Sequence, residues 1–184
     1  MKKIILFSLF VFNGLNSFSQ TDGKKPDTES KTKTEIFTSK TGSISKFVDY
    51  NLTSIKSSYD VSNVRIRKIT VGTESLFCYQ IVKEGKYSNN TASITYPDLL
   101  EITKAFAKLK SSLESDIATN PDYLENKFIS EDGFQLGYYV KGSKSTWYVK
   151  LDRYGSDNTI YLNTPEIIET SLNEGKAKIE ELKK

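Results

Sequence analysis

From Ile36 onward, hydrophobic and polar residues alternate over short runs and then switch to helical spacing, and the switch happens twice. Val64 to Val71 and Leu76 to Val82 alternate on either side of Gly72-Thr73-Glu74. Phe134 to Val140 and Thr146 to Leu151 do the same around Lys141-Gly142-Ser143-Lys144. Period-two runs broken by turn residues predict β-hairpins. Each pair then gives way to a proline and a helical stripe. The first stripe is Leu99, Leu100, Ile102, Phe106, Leu109 and Leu113; the second is Ile167, Ile168, Leu172, Ile179 and Leu182. A shift of 68 residues lays Pro97-Asp98-Leu99-Leu100-Glu101 on Pro165-Glu166-Ile167-Ile168-Glu169. Proline is tolerated in a first turn, where its missing N–H costs nothing, and the acids after it suit the positive end of the helix dipole. Thr164 is a good N-cap for the second helix, whereas Tyr96 is a poor one for the first.

Ala92–Tyr96 and Thr159–Leu162 supply a short strand before each helix, and Tyr123 to Ile129 a lead strand for the second copy. Ser43 to Leu52 suits a helix through Ile44, Phe47, Val48 and Leu52 and suits alternation only in part; its place in the repeat favours a strand. Consecutive strands joined by short turns run antiparallel. The expected fold is therefore α+β, an antiparallel sheet built from two ββββα repeats (36–119 and 123–184) with both helices on one face.

Alternation also sorts the side chains. Phe134, Leu136, Tyr138, Val140, Trp147, Val149 and Leu151 fall on the face the helices should cover. Burial there stabilises by roughly 1.5–3 kcal/mol per large apolar side chain. Gln135, Gly137, Tyr139, Thr146, Tyr148 and Lys150 fall on the opposite face. Tyr139 and Tyr148 with Lys150, joined by Arg65 and Arg67 from the first copy, form a candidate ligand platform. The competing explanation is that tyrosine simply suits half-exposed strands.

The first 19 residues carry Lys2 and Lys3, an apolar run from Ile4 to Phe12, and Ser17-Phe18-Ser19 before Gln20. That is the layout of a cleaved secretory signal, and the run is about half the ~20 residues a membrane span needs. Periplasmic or extracellular localisation follows, with no stable membrane anchor after cleavage. Residues 20–35, which hold no large apolar side chain before Glu35, are expected to be a flexible linker. Residues 36–184 are then one domain.

Charge and composition narrow the chemistry. Of 184 residues, 26 are Lys or Arg and 23 Asp or Glu; losing Lys2 and Lys3 with the leader leaves 24 basic and 23 acidic. No basic excess argues for nucleic acid. The absence of histidine removes histidine-based triads and the commonest transition-metal ligand, and one cysteine, Cys78, forms neither an internal disulfide nor a multi-thiolate metal site. No cofactor motif is present, and no metal site is expected. Ser43-Ile-Ser-Lys46 has the spacing of a lysine-activated serine but none of its partners. Asp152 to Asn158 offers oxygen ligands around Gly155, yet lacks the alternating acids and closing glutamate of a helix-loop-helix calcium site, so a polar turn is expected. Cys78, within Leu-Phe-Cys-Tyr-Gln-Ile-Val, has the context of a small buried side chain.

The leader ending Ser-Phe-Ser-Gln20, Phe37-Thr-Ser-Lys-Thr-Gly42, Asn120-Pro-Asp-Tyr-Leu-Glu-Asn-Lys-Phe128, Asp132-Gly-Phe-Gln-Leu-Gly-Tyr-Tyr-Val140 and Tyr154-Gly-Ser-Asp-Asn158 together resemble uncharacterised small exported proteins of Bacteroidetes-type bacteria. The resemblance implies export and no particular activity. The expected function is a non-enzymatic module that binds a protein, glycan or small ligand on the open sheet face. Two alternatives predict other features. A carboxylate-dependent hydrolase needs two acids facing each other across roughly 5–10 Å in a pocket. A structural envelope or inhibitor-like protein needs a contiguous exposed apolar patch beyond a few hundred Å².

Overall fold

A computed structural model describes residues 31–57, 60–86 and 88–184. The expected leader lies outside the described residues. The first element is a short helix, α1 (Lys33–Thr38), closed at its start by Thr32 and Glu35, which bond each other's backbone N–H groups. Residues 32–35 of the expected linker therefore belong to a capped helix, and residues 20–30 of it lie outside the described residues. The reciprocal cap supplies partners that a count of apolar residues overlooks.

Five strands follow: β1 (Ser45–Asn51), the two-residue β2 (Ile55–Lys56), β3 (Val61–Val71), β4 (Glu74–Lys83) and β5 (Asn90–Thr95). They form one antiparallel sheet in the order β1-β3-β4-β5, with β2 on the start of β3. Helix α2 (Tyr96–Ala118) comes next. Its N-cap is Thr95 rather than Tyr96, so Tyr96 occupies the first turn and Pro97 follows it. The second half repeats the order with β6 (Leu124–Ile129), β7 (Gln135–Lys141), β8 (Lys144–Lys150), β9 (Thr159–Leu162) and α3 (Pro165–Leu182). These four strands form a separate antiparallel sheet, β6-β7-β8-β9. The α+β class holds, and Ser43–Leu52 contains a strand. The single expected sheet is two.

The hairpins are set by glycine. Gly72 and Gly142 take φ of +61° and +59° at the first turn position, while Thr73 and Ser143 stay at negative φ. That pattern suits a type II′ turn, whose hand matches strand twist. It leaves Val71 opposite Glu74 and Lys141 opposite Lys144.

Both long helices pack against each other, and each touches both sheets: α2 reaches β4 and β5 as well as β6 and β7, and α3 reaches β2 and β3 as well as β9. One apolar core therefore runs through both halves, from Ile66 and Ile81 through Leu99, Phe106 and Leu172 to Leu136 and Trp147. Tyr79 is wholly buried in it, its hydroxyl 2.6 Å from that of Ser171 and its ring over Gly175, where an added Cβ would sit 2.4 Å from a ring carbon. All seven residues assigned to the covered face of β7 and β8 are buried. Helix α1 lies on the opposite side of the first sheet. There Phe37 packs on Ile69, Val71 and Cys78, and the Thr34 hydroxyl lies 3.6 Å from the Cys78 sulfur.

Candidate functional site

Counting outward from the turn glycines gives each position on the outer face of one sheet a counterpart on the other. Ile69 and Val71 match Tyr139 and Lys141; Leu76 matches Thr146; Arg67 and Cys78 match Gly137 and Tyr148. The two faces have been finished differently. On the first sheet, α1 covers Ile69, Val71 and Cys78, leaving Phe47 exposed on edge strand β1, and the burial raises the Cys78 thiol pKa. The remaining charge is closed off. Asp49 accepts two 2.7 Å bonds from Arg67 and lies 3.5 Å from Arg65. Arg65 also donates to the buried Gln80, which in turn donates to Ser93. Hydrogen bonding to Arg67 holds the Asp49 carboxyl below its ordinary range.

Among the described residues no such cover lies on the second sheet. Tyr123, just ahead of β6, stacks on Tyr139 with ring centroids 6.1 Å apart and planes 22° from parallel. Tyr161 on β9 stands directly opposite Tyr148 on β8. Tyr123 is 62% exposed and Tyr161 47%, but Tyr148 is only 6% exposed. The Tyr148 hydroxyl donates a 2.7 Å bond to Glu125 on β6, which places its ring across the intervening β7. Its partner there is Gly137, and a Cβ at that position would meet the Asn126 carbonyl oxygen at 2.4 Å. Burial, then the Glu125 carboxylate, pushes the Tyr148 phenol well above its ordinary range; the same bond, aided by Lys127, lowers Glu125.

Of the five expected site residues, the structure thus brings Tyr139, Tyr148 and Lys150 to one face. Arg65 and Arg67 belong to the other sheet and are held by Asp49. Tyr148 is a correction too: it is the buried support of the tyrosine band instead of part of its open surface, because its hydroxyl reaches back to Glu125 on β6. The exposed rings are Tyr123 and Tyr161, with Tyr139 half-buried beside Tyr123. Tyr123 and Tyr161 were legible as members only once the register of β6 and β9 was known.

Lysines complete the face. Lys127, Lys141, Lys144 and Lys150 lie on it by alternation, against one strand acid, Glu125, which is already engaged by Tyr148 and Lys127. Lys150 donates to the Arg153 carbonyl at 3.3 Å.

A second concavity of about 290 Å³ opens where β5 passes the start of β7 and the end of β8, with Asp98, Asp132 and Asp152 among its walls. Its carboxylates are largely committed. The Lys33 ammonium lies 2.6 Å from Asp98 and 3.3 Å from Glu131, and its backbone N–H points at Asp132. Burial raises the Asp132 pKa. Among the described residues no group of three or more His, Cys, Asp or Glu is placed to hold a metal ion, and no helix is long and apolar enough to cross a membrane. The chain matches no family model, no curated protein and no solved structure.

Proposed function

We propose that this chain is a non-enzymatic exported binding module whose receptor surface is the outer face of the second sheet. One observation carries the reading: two exposed tyrosines, Tyr123 and Tyr161, and the half-buried Tyr139 surround a fourth that is buried and fixed, on a sheet face that no helix covers among the described residues. Tyrosine offers a large contact area for little lost freedom, and a platform anchored by the Tyr148–Glu125 bond is ordered before anything binds. The leader-like N-terminus supports export to the periplasm or beyond. The matched turns and helix starts support an internal duplication in which one half kept its outer face covered and the other was left open.

The test is affinity electrophoresis of the full chain through gels holding soluble polysaccharides or peptides, with Tyr139→Ala/Tyr161→Ala beside the wild type. Retardation by at least one polymer should weaken about tenfold or more per lost ring. Retardation that the double variant keeps, or new reducing ends released from a polysaccharide by the wild type, would overturn the reading.

A further inference from the structure

The register of the second hairpin contains a local conflict. Lys141 and Lys144 face each other directly across the turn, and like charges in that arrangement destabilise a hairpin. Neither has an ion-pair partner among the described residues, although many other lysines do: Lys33, Lys40, Lys83, Lys110 and Lys127 each meet a carboxylate. The equivalent positions of the first hairpin hold Val71 and Glu74, and there Glu74 is paired with Lys40. The unresolved repulsion therefore sits at one end of the open tyrosine band, two residues along the strand from Tyr139. A local rule broken without compensation inside the fold is the signature of a group kept for an external partner.

We propose that the tyrosine face binds an acidic polysaccharide, its sugar rings lying on Tyr139 and Tyr161 and its carboxylates received by Lys141 and Lys144. This deepens the binding-module reading and rests on it. The chemistry matches on two counts. The C–H faces of a pyranose carry slight positive charge and suit the negative face of an aromatic ring. A uronate carboxylate supplies the anion that the facing lysines lack. Single-stranded nucleic acid also combines stacking with cations, but it is favoured by a positive groove that follows the backbone and by arginine. This face has no arginine in its strands, and its lysines stand at the margins of the band.

The measurement is calorimetric titration of the full chain with polygalacturonate, with the same polymer fully methyl-esterified, and with poly(dT). The polyacid should bind at least tenfold tighter than its ester, weaken with added salt, and lose about tenfold in Lys141→Gln/Lys144→Gln. Urea unfolding of that variant should be no less stable than the wild type, since both side chains are exposed and their repulsion is gone. Equal affinity for the ester or for poly(dT), no binding of the polyacid, or indifference to the lysine change overturns the acidic assignment. The two readings separate cleanly. A ligand lost in Tyr139→Ala/Tyr161→Ala but kept in the lysine variant leaves the docking face standing and removes only its charge class. Polygalacturonate binding that ignores both variants removes both.

Discussion

The two sheets share strand order, turn geometry and a helix after the last strand, yet their outer faces solve opposite problems. In the first, the large side chain of the central pair is Arg67 and the small one Cys78; in the second, the small one is Gly137 and the large one Tyr148. The exchange decides what can lie above. A small Cys78 leaves room for α1 and Phe37 to settle on the face, while Arg67 turns outward to Asp49. A large Tyr148 fills the same level itself, so nothing further need cover it. The comparison teaches that one backbone yields a sealed face or an open platform according to which strand of the hairpin carries the bulk.

The sharpest way to break this comparison is to give Gly137 a side chain. Its counterpart Arg67 accepts one freely, but in the second sheet even Gly137→Ala places a methyl 2.4 Å from the Asn126 carbonyl and 2.6 Å from the Lys127 Cβ. Both obstacles belong to or adjoin the backbone of β6, so that strand must move. Urea unfolding should show a loss of about 3 kcal/mol, at the upper end of over-packing costs. A loss under about 0.5 kcal/mol would mean that β6 does not press on β7 at Gly137 as described.

Tyr148→Phe is a milder change to the same support. The ring stays, and the Glu125 carboxylate loses its closest donor. A loss of about 1.5 kcal/mol is expected at neutral pH, the low end for a missing bond to a charged acceptor, because Lys127 still meets Glu125. The alkaline limb should change as well. In the folded state the Tyr148 phenol titrates above its ordinary value of 10.0, so its contribution is complete below pH 10 and drains away as pH rises. Tyr138, raised to about 12 by burial and by Asp116, behaves alike and is untouched by the change. The wild type should therefore lose stability between pH 10 and 12 more steeply than Tyr148→Phe; equal slopes would show that Tyr148 is not held as described.

How far the sequence carries this picture follows from what each feature depends on. The hairpins and helix starts were legible because Gly72, Gly142, Pro97 and Pro165 act on their own backbone. The core face of β7 and β8 was legible because alternation alone separates Trp147 from Tyr148. Division into two sheets was not, since it depends on how β5 and β9 lie against each other's halves, and no local pattern records that. Burial of Tyr148 was likewise hidden. It requires knowing that Glu125 lies two strands away and two residues along from the row of Tyr148, Gly137 and Lys127, which only the register supplies. The same holds for Arg65 and Arg67: alternation gave their face correctly, but Asp49, which claims them, is brought there by β1.

The smallest expected effect addresses the sealed face. Asp49→Asn removes the carboxylate that neutralises Arg65 and Arg67 on the first sheet, although Arg65 keeps its bond to Gln80, without touching the second. Because the pair is about a third exposed, its loss should cost only about 0.5–1 kcal/mol at neutral pH. The acid limb gives a sharper readout. Arg67 holds the Asp49 carboxyl below its ordinary 3.8, so its contribution is present above that pH and disappears as pH falls through the lowered value. Wild type and Asp49→Asn should thus converge in stability toward the acid end, while remaining separated at pH 7. The variant also divides charge from shape. If bare cations suffice to recruit an acidic polysaccharide, freeing Arg65 and Arg67 should add a second binding site to the titration. If accessible rings are required as well, the stoichiometry should stay at that of the wild type, because the positions matching Tyr139 and Tyr148 are filled by Ile69 and Cys78 under the cover of α1.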